Sequence, residues 1–304
     1  MDERLCEQCF DAIDQKDWAK AGHFCQMAAQ SGSASAMYNL AHLYDEGFGV
    51  KKHIQVATFW YQSAAEQGLD YAQHNLAIRL TNGIGIEKNL SRAAEWFEKA
   101  ANQGLPESQH QLGAMYLDGN GVDLDTKKGI HWYTAAANAG FIDAQHDLGV
   151  LYEEGKLVPI NMRKAMHWYL QAAIQDDAAS QFNVGLFHDE GYVGEPNPQM
   201  AVYWYTRAAN LGFVSAQFNL ALLLEDGRGV AANPATAAHW YLKAAERGHH
   251  GAQLNLGILF FNGKGVARDI ESARLWFTQA SWAKNHIAEQ ALDALDQLRQ
   301  RYGQ

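Results

Sequence analysis

Residues 60–68 read Trp60-Tyr61-Gln62-Ser63-Ala64-Ala65-Glu66-Gln67-Gly68, and residues 240–248 read Trp240-Tyr241-Leu242-Lys243-Ala244-Ala245-Glu246-Arg247-Gly248. Between these two stretches the tryptophan returns every 36 residues without a slip, at Trp60, Trp96, Trp132, Trp168, Trp204, Trp240 and on to Trp276. The small pairs keep the same step, from Ala64-Ala65 through Ala136-Ala137 to Ala244-Ala245, as do Ala36, Ala72, Ser108, Ala144, Ser180, Ala216 and Ala252. A fixed period of this length marks a chain built by stacking one unit, each unit burying its apolar face against its neighbours.

Each unit divides into two helices. Ala36, Leu40, Ala41 and Tyr44 repeat at i, i+4, i+5, i+8 and so share one helical face. Gly47, Gly83, Gly119, Gly155, Gly191, Gly227 and Gly263 stand where that helix needs a left-handed stop, and in most units a second glycine and then Val or Ile follow. Asn89, Asp125, Asn161, Asn197, Asn233 and Asp269 fall at the N-cap position of the second helix, with His53 the one departure. Ala57, Trp60, Tyr61, Ala64 and Ala65 form the packed face of that helix, and the repeat tryptophans are expected in the core. Gly68, Gly104, Gly140, Gly212 and Gly248 close it, Asp176 replacing the glycine once.

The chain is therefore expected to be one all-α domain over 1–304: a compact helix pair over 1–32, seven repeats over 33–284 and a capping helix over 285–304, with Ala288, Leu292, Leu295 and Leu298 on its apolar side. A net charge of −10 without a basic run argues against nonspecific nucleic-acid binding and suits a basic or neutral protein partner. No apolar run approaches the ~18 residues that span a bilayer, and the acidic start Met1-Asp2-Glu3-Arg4 does not read as a signal, so a cytoplasmic location is expected.

The string Ala-Gln-x-x-Leu-Gly-x-x-Tyr-x-x-Gly-x-Gly-Val, followed by Trp-Tyr-x-x-Ala-Ala-x-x-Gly, resembles the Sel-1-like repeat family over residues 33–284. That resemblance implies a right-handed superhelical solenoid of tetratricopeptide-like helix pairs, acting as a bacterial adaptor or scaffold. One branch of the family is cysteine-rich, secreted and linked to penicillin binding. This chain has only Cys6, Cys9 and Cys25, all before the first full repeat, and reads as the cysteine-poor branch with reduced thiols.

The candidate site is a stripe on the first helices, expected to line a concave face. Tyr38, His74, His110, His146, Phe182 and Phe218 form an aromatic edge, and Leu254 continues that row. Beside them run Asn39, Asn75, Gln111, Asp147, Asn183, Asn219 and Asn255. A carboxamide donates and accepts at once, and in the related tetratricopeptide scaffold an asparagine at the matching place holds the backbone of an extended peptide. The same row would also arise if the amides only tied neighbouring repeats together. Asp45-Glu46, Glu153-Glu154, Asp189-Glu190 and Glu225-Asp226 add an acidic stripe, read either as pairing with cations such as Lys51, Lys156 and Arg228 or as a rim that steers a basic partner. The loops at Gly155 and Gly191, which lose the second glycine, are a candidate local epitope.

Enzymatic readings find little support. His131, His167 and His239 share a position with Phe59, Glu95, Tyr203 and Leu275, chemistry that no catalytic role would tolerate. Ser281-x-x-Lys284 lacks the companion strings of penicillin-recognising enzymes. Cys6, Cys9, His23 and Cys25 resemble a zinc set but align with core positions, so no metal or cofactor is expected. The reading is a non-enzymatic scaffold for a protein or peptide partner. Its alternatives are an immunity or chaperone protein masking a secreted toxin or effector, and a weak β-lactam-binding or hydrolase activity.

Overall fold

The computed structural model describes residues 3–282 and 286–302, with side chains as far as Gln297, so Lys284 and the Leu298 side chain lie outside the described residues. The described residues form helices joined by turns, with no strand among them. By their contacts they fall into two compact units, one running to Leu148 and including Lys156–Val158, the other comprising Gly149–Gly155 and the chain from Pro159 onward. The first unit holds α1 (Glu3–Asp14), α2 (Trp18–Gln30), α3 (Ala34–Glu46), α4 (Ile54–Glu66), α5 (Asp70–Asn82), α6 (Leu90–Asn102), α7 (Pro106–Asp118), α8 (Thr126–Asn138) and the first half of α9 (Ile142–Glu154). The second holds the rest of α9, then α10 (Met162–Ala173), α11 (Ala178–Glu190), α12 (Pro198–Asn210), α13 (Val214–Asp226), α14 (Pro234–Glu246), α15 (His250–Asn262), α16 (Ile270–Ser281) and α17 (His286–Tyr302). Consecutive helices pack on one another from α1 to α8 and again from α10 to α17.

Local chemistry sets these boundaries. First helices stop at left-handed glycines such as Gly47 at φ +79° and Gly227 at φ +71°. Second helices start at capping side chains: Asn89 Oδ1 accepts the Arg92 N–H at 3.0 Å and Asp125 Oδ1 the Lys128 N–H at 3.0 Å. His53, the apparent exception, does the same work, since its Nδ1 accepts the Val56 N–H at 3.3 Å. The loop between helices is closed by the N–H of the capping residue itself, which donates nine residues back: His53 to Tyr44, Asn161 to Tyr152, Asn197 to His188 and Asp269 to Phe260. The loops at Gly155 and Gly191 thus keep this closure although they lack the second glycine. Where that glycine is present its role is close approach: a Cβ on Gly121 would lie 2.5 Å from the Leu90 carbonyl oxygen of the preceding repeat. Asp176 takes the left-handed turn without glycine, at φ +66°, and its carboxylate accepts from Gln181 Nε2 at 3.1 Å and Arg207 Nη2 at 2.6 Å.

The core differs from expectation in one respect. The alanine pairs are buried, as are Trp204 and Trp240, but Trp60, Trp96, Trp132, Trp168 and Trp276 are only half-buried, and the more complete burial belongs to the next residue, as in Tyr169, Tyr205, Tyr241 and Phe97. Neighbouring residues point roughly 100° apart round a helix, so only one of the two can face the partner helix directly. The first helix offers a small residue there: a Cβ on Gly113 would lie 2.4 Å from the Tyr133 ring. The tyrosine takes that space, and the tryptophan is left beside it.

The opening helix pair carries a second correction. Cys9 and Cys25, expected as thiols, are joined as a disulfide with Cα atoms 4.7 Å apart, both fully buried. Cys25 stands at the position of Tyr61 and Cys9 at that of Ala41, the same small-against-large contact, so cysteine at both places brings the sulfurs together. Bonded to each other, they leave no thiolate for a metal. Cys6 is free and half-buried.

Candidate partner-binding face

The aromatic row of the first helices packs onto the buried ring row of the second. Tyr38 lies edge-on to Tyr61 at 5.6 Å and His74 to Phe97 at 5.5 Å, and His110 stacks on Tyr133 at 4.9 Å. In the second unit Phe182 meets Tyr205 at 5.7 Å and Phe213 at 5.1 Å, and Phe218 stacks on His249 at 4.4 Å. Tyr38, His74, His110, His146, Phe182 and Phe218 are half-buried, while Leu254 is buried. This row is part packing and part surface. Burial, partly opposed by the Glu107 carboxylate, holds the His74 pKa below the usual histidine range, and the Ser108 hydroxyl lies 2.8 Å from its Nδ1.

The acidic stripe has a structural partner in the same rings. Tyr241 Oη donates to Glu225 Oε2 at 3.0 Å and Tyr169 Oη to Glu153 Oε2 at 2.5 Å. Asp45 and Asp189 act on Tyr61 and Tyr205 in the same sense, raising pKa values that burial has already raised. Where the acid position is Thr81 or Phe261, the ring is Phe97 or Phe277 and carries no hydroxyl. Tyr133 follows Leu117, and there the next repeat supplies the carboxylate: Asp147 helps raise the Tyr133 pKa and lies 2.8 Å from His110 Nε2. Hydroxyl and carboxylate therefore occur together. The same acids also pair with cations of the following repeat, Asp45 with Arg79, Asp189 with Arg228 at 3.1 Å and Glu225 with Lys264 at 2.9 Å.

The carboxamides join this network from the other side. Asn219 Nδ2 donates to Tyr205 Oη at 3.2 Å and Asn255 Nδ2 to Tyr241 Oη at 3.1 Å, each reaching from one repeat to the tyrosine of the repeat before. In the first unit Asn75 Nδ2 reaches Tyr38 Oη at 3.4 Å. Asn39, Gln111 and Asn183 are half-buried at the matching positions, and Asp147 breaks the row with a carboxylate that can only accept. One N–H of Asn219 or Asn255 is spent on the hydroxyl, and the second N–H and the carbonyl oxygen remain to bond something else.

A third row escaped the sequence reading. Gln73, Gln109, Gln145, Gln181, Gln217 and Gln253 are buried, and each donates Nε2 to the carbonyl eight residues back, capping the C-terminus of the preceding second helix. Their 36-residue spacing was visible in the sequence, but a glutamine's spacing does not reveal whether it is buried or wet.

The Sel1 repeat family model matches residues 34–69, 70–105, 106–141, 142–177, 178–213, 214–249 and 250–281. Among solved structures the chain is similar to c5321 of uropathogenic Escherichia coli, described as a protective antigen displaying an SLR fold. The identity is 30% over 90% of this chain and 66% of that one, with a TM-score of 0.67. A Sel1 repeat protein from Oxalobacter formigenes is 28% identical over 79% of this chain and 96% of its own, with a TM-score of 0.66. Among curated proteins no match is found.

Proposed function

Because the chain belongs to the Sel1 repeat family, whose members generally serve as protein-interaction scaffolds, we propose that it holds an extended segment of a partner protein on the faces of its first helices. The observation that carries this reading is the anchored amide. Asn219 and Asn255 are fixed by Tyr205 and Tyr241 at 3.2 and 3.1 Å and keep donor and acceptor capacity for a peptide backbone. A purely structural tie would need only one N–H. The half-buried Phe182 and Phe218 beside them supply side-chain contacts that differ from repeat to repeat. Asp45, Glu153, Asp189 and Glu225 are engaged by tyrosines and cations, so preference for a basic partner rests on the net charge of −10 more than on these four acids.

The test begins with the partner captured by the purified chain and uses its binding segment as a synthetic peptide. Asn219→Ala with Asn255→Ala should weaken that peptide about 10- to 100-fold, from two lost hydrogen bonds of roughly 0.5–1.5 kcal/mol each. Melting temperature is measured on the same protein. Affinity unchanged among folded molecules, with stability lowered, would leave the amides a structural tie and end this reading.

A further inference from the structure

The junction between the repeat of α5–α6 and the helix α7 lacks three groups that the junction before it has. Thr81 replaces the carboxylate of Asp45, Phe97 replaces the hydroxyl of Tyr61, and Met115 replaces Arg79. One repeat earlier the Arg79 guanidinium fills the space so bounded. It lies 4.8 Å from the centre of the Tyr61 ring, pairs with Asp45, donates to Thr58 Oγ1 at 2.7 Å and reaches the carbonyls of Ile54 at 3.5 Å and Ile84 at 3.4 Å. Advanced by one repeat, Asp45, Ile54, Tyr61 and Ile84 become Thr81, Leu90, Phe97 and Asn120. All four line a cleft of ≈ 310 Å³. The cleft is the place an arginine occupies in the preceding junction.

Its chemistry selects the occupant. Leu90, Phe97 and Met115 make an apolar floor, and Thr81, Lys88, Gln111 and Asp118 place polar groups round it. A second arginine is disfavoured, because the acid that neutralises Arg79 has become Thr81, and the charge of Asp118, the acid left in the wall, is offset by that of Lys88. A purely aliphatic group would desolvate the polar lining without return. An aromatic ring with a hydroxyl satisfies both parts: the ring meets Phe97 and the Met115 sulfur, and the hydroxyl meets Thr81 or Gln111. Size agrees, since a cavity of ~150 Å³ already holds benzene. The corresponding place at Phe277, lined by Phe261, Ala291 and Leu295, is also a cleft, but smaller at ≈ 190 Å³ and without polar lining groups.

We propose that the cleft at Phe97 is a binding site for a phenolic side chain, the tyrosine of a partner segment. This rests on the partner-segment reading above, and Gln111, a member of the carboxamide row, sits in its wall. The probe is p-cresol, the tyrosine side chain itself, titrated against the full chain carrying methyl-labelled methionine. Among the seven methionines, Met115 should show a saturable ring-current shift, and N-acetyltyrosinamide should reproduce it. Two variants fill the cleft with groups the chain already uses elsewhere: Thr81→Glu with Phe97→Tyr, as in α9–α10, and Thr81→Asp with Met115→Arg, as in α3–α5. Both should fold and both should weaken p-cresol by about tenfold or more. They should also weaken the captured partner's peptide. No Met115 shift at millimolar p-cresol overturns the proposal, as does an unchanged shift in both filled variants. Wild-type affinity of these variants for the peptide also overturns it, while Asn219→Ala with Asn255→Ala reports separately on the wider reading.

Discussion

Leu211→Gln and Ala139→Gln should make this protein more stable, a gain that follows from the buried glutamine row. Gln73 shows the complete arrangement: its Nε2 donates to the Ala65 carbonyl at 3.2 Å, and its Oε1 accepts from Gln103 Nε2 at 2.8 Å. Gln103 also donates to the Gly68 carbonyl at 3.0 Å. At the position of Gln103 the next repeats carry Ala139, Leu211 and Arg247, and the matching oxygens, Oε1 of Gln109, Gln181 and Gln217, are buried without a partner. Arg247 keeps only the half of the task directed at a glycine carbonyl, donating to Gly212. The backbone is already in place. Gln103 sits at φ −83°, ψ −2°, Ala139 at φ −76°, ψ 0° and Leu211 at φ −77°, ψ 0°, so a glutamine there starts from the same direction. Satisfying a buried acceptor is worth about 1–3 kcal/mol, and ordering a glutamine side chain opposes it by up to about 1.5–2 kcal/mol, which leaves a net gain of about 1 kcal/mol per site. Leu211 is 53% exposed, so its removal forfeits little burial. The assay is urea denaturation followed by circular dichroism, comparing midpoints at unchanged m. Gln103→Ala supplies the reverse, a loss of about 1–3 kcal/mol through the orphaned Gln73 oxygen. Neutral or lower midpoints for both glutamine variants, with Gln103→Ala also neutral, would refute the account of the row.

Three further outcomes are expected. Tyr61, Tyr133, Tyr205 and Tyr241 have pKa values raised by burial and by nearby carboxylates, so the unfolded chain ionises first. Their stabilisation is complete below the unfolded value of ~10 and is lost as pH rises through the folded values, so urea midpoints should fall steeply above about pH 10 and less so in Tyr205→Phe with Tyr241→Phe. Tyr169→Ala should cost at least as much as Trp168→Ala, about 3–5 kcal/mol, because the tyrosine is fully buried and the tryptophan is not; the reverse order in chemical denaturation would contradict the packing described. Alkylation of the unfolded, unreduced chain should modify Cys6 alone by intact mass, with three sites modified only after reduction, and reduction should lower stability by up to about 3 kcal/mol.

The sequence alone determined the repeat. Its 36-residue step, the glycine stops and the capping residues are local signals, each needing only its own few neighbours, and the helices, their ends and the family were legible from them. Even His53, which broke the capping pattern by residue type, fills the place by geometry. Tertiary structure decided what each repeated residue faces. Trp168 and Tyr169 are adjacent, and an aromatic residue recurs at both positions in every repeat, so only the approach of a small first-helix residue makes the second of them the core. Spacing likewise showed an acidic stripe and an amide row without showing that both converge on tyrosine hydroxyls, because those bonds join residues 14 and 16 apart on different helices. The cleft at Phe97 is the furthest from sequence. It arises from three absences at one junction, and an absence has consequence only where neighbouring helices enclose the space a side chain has left.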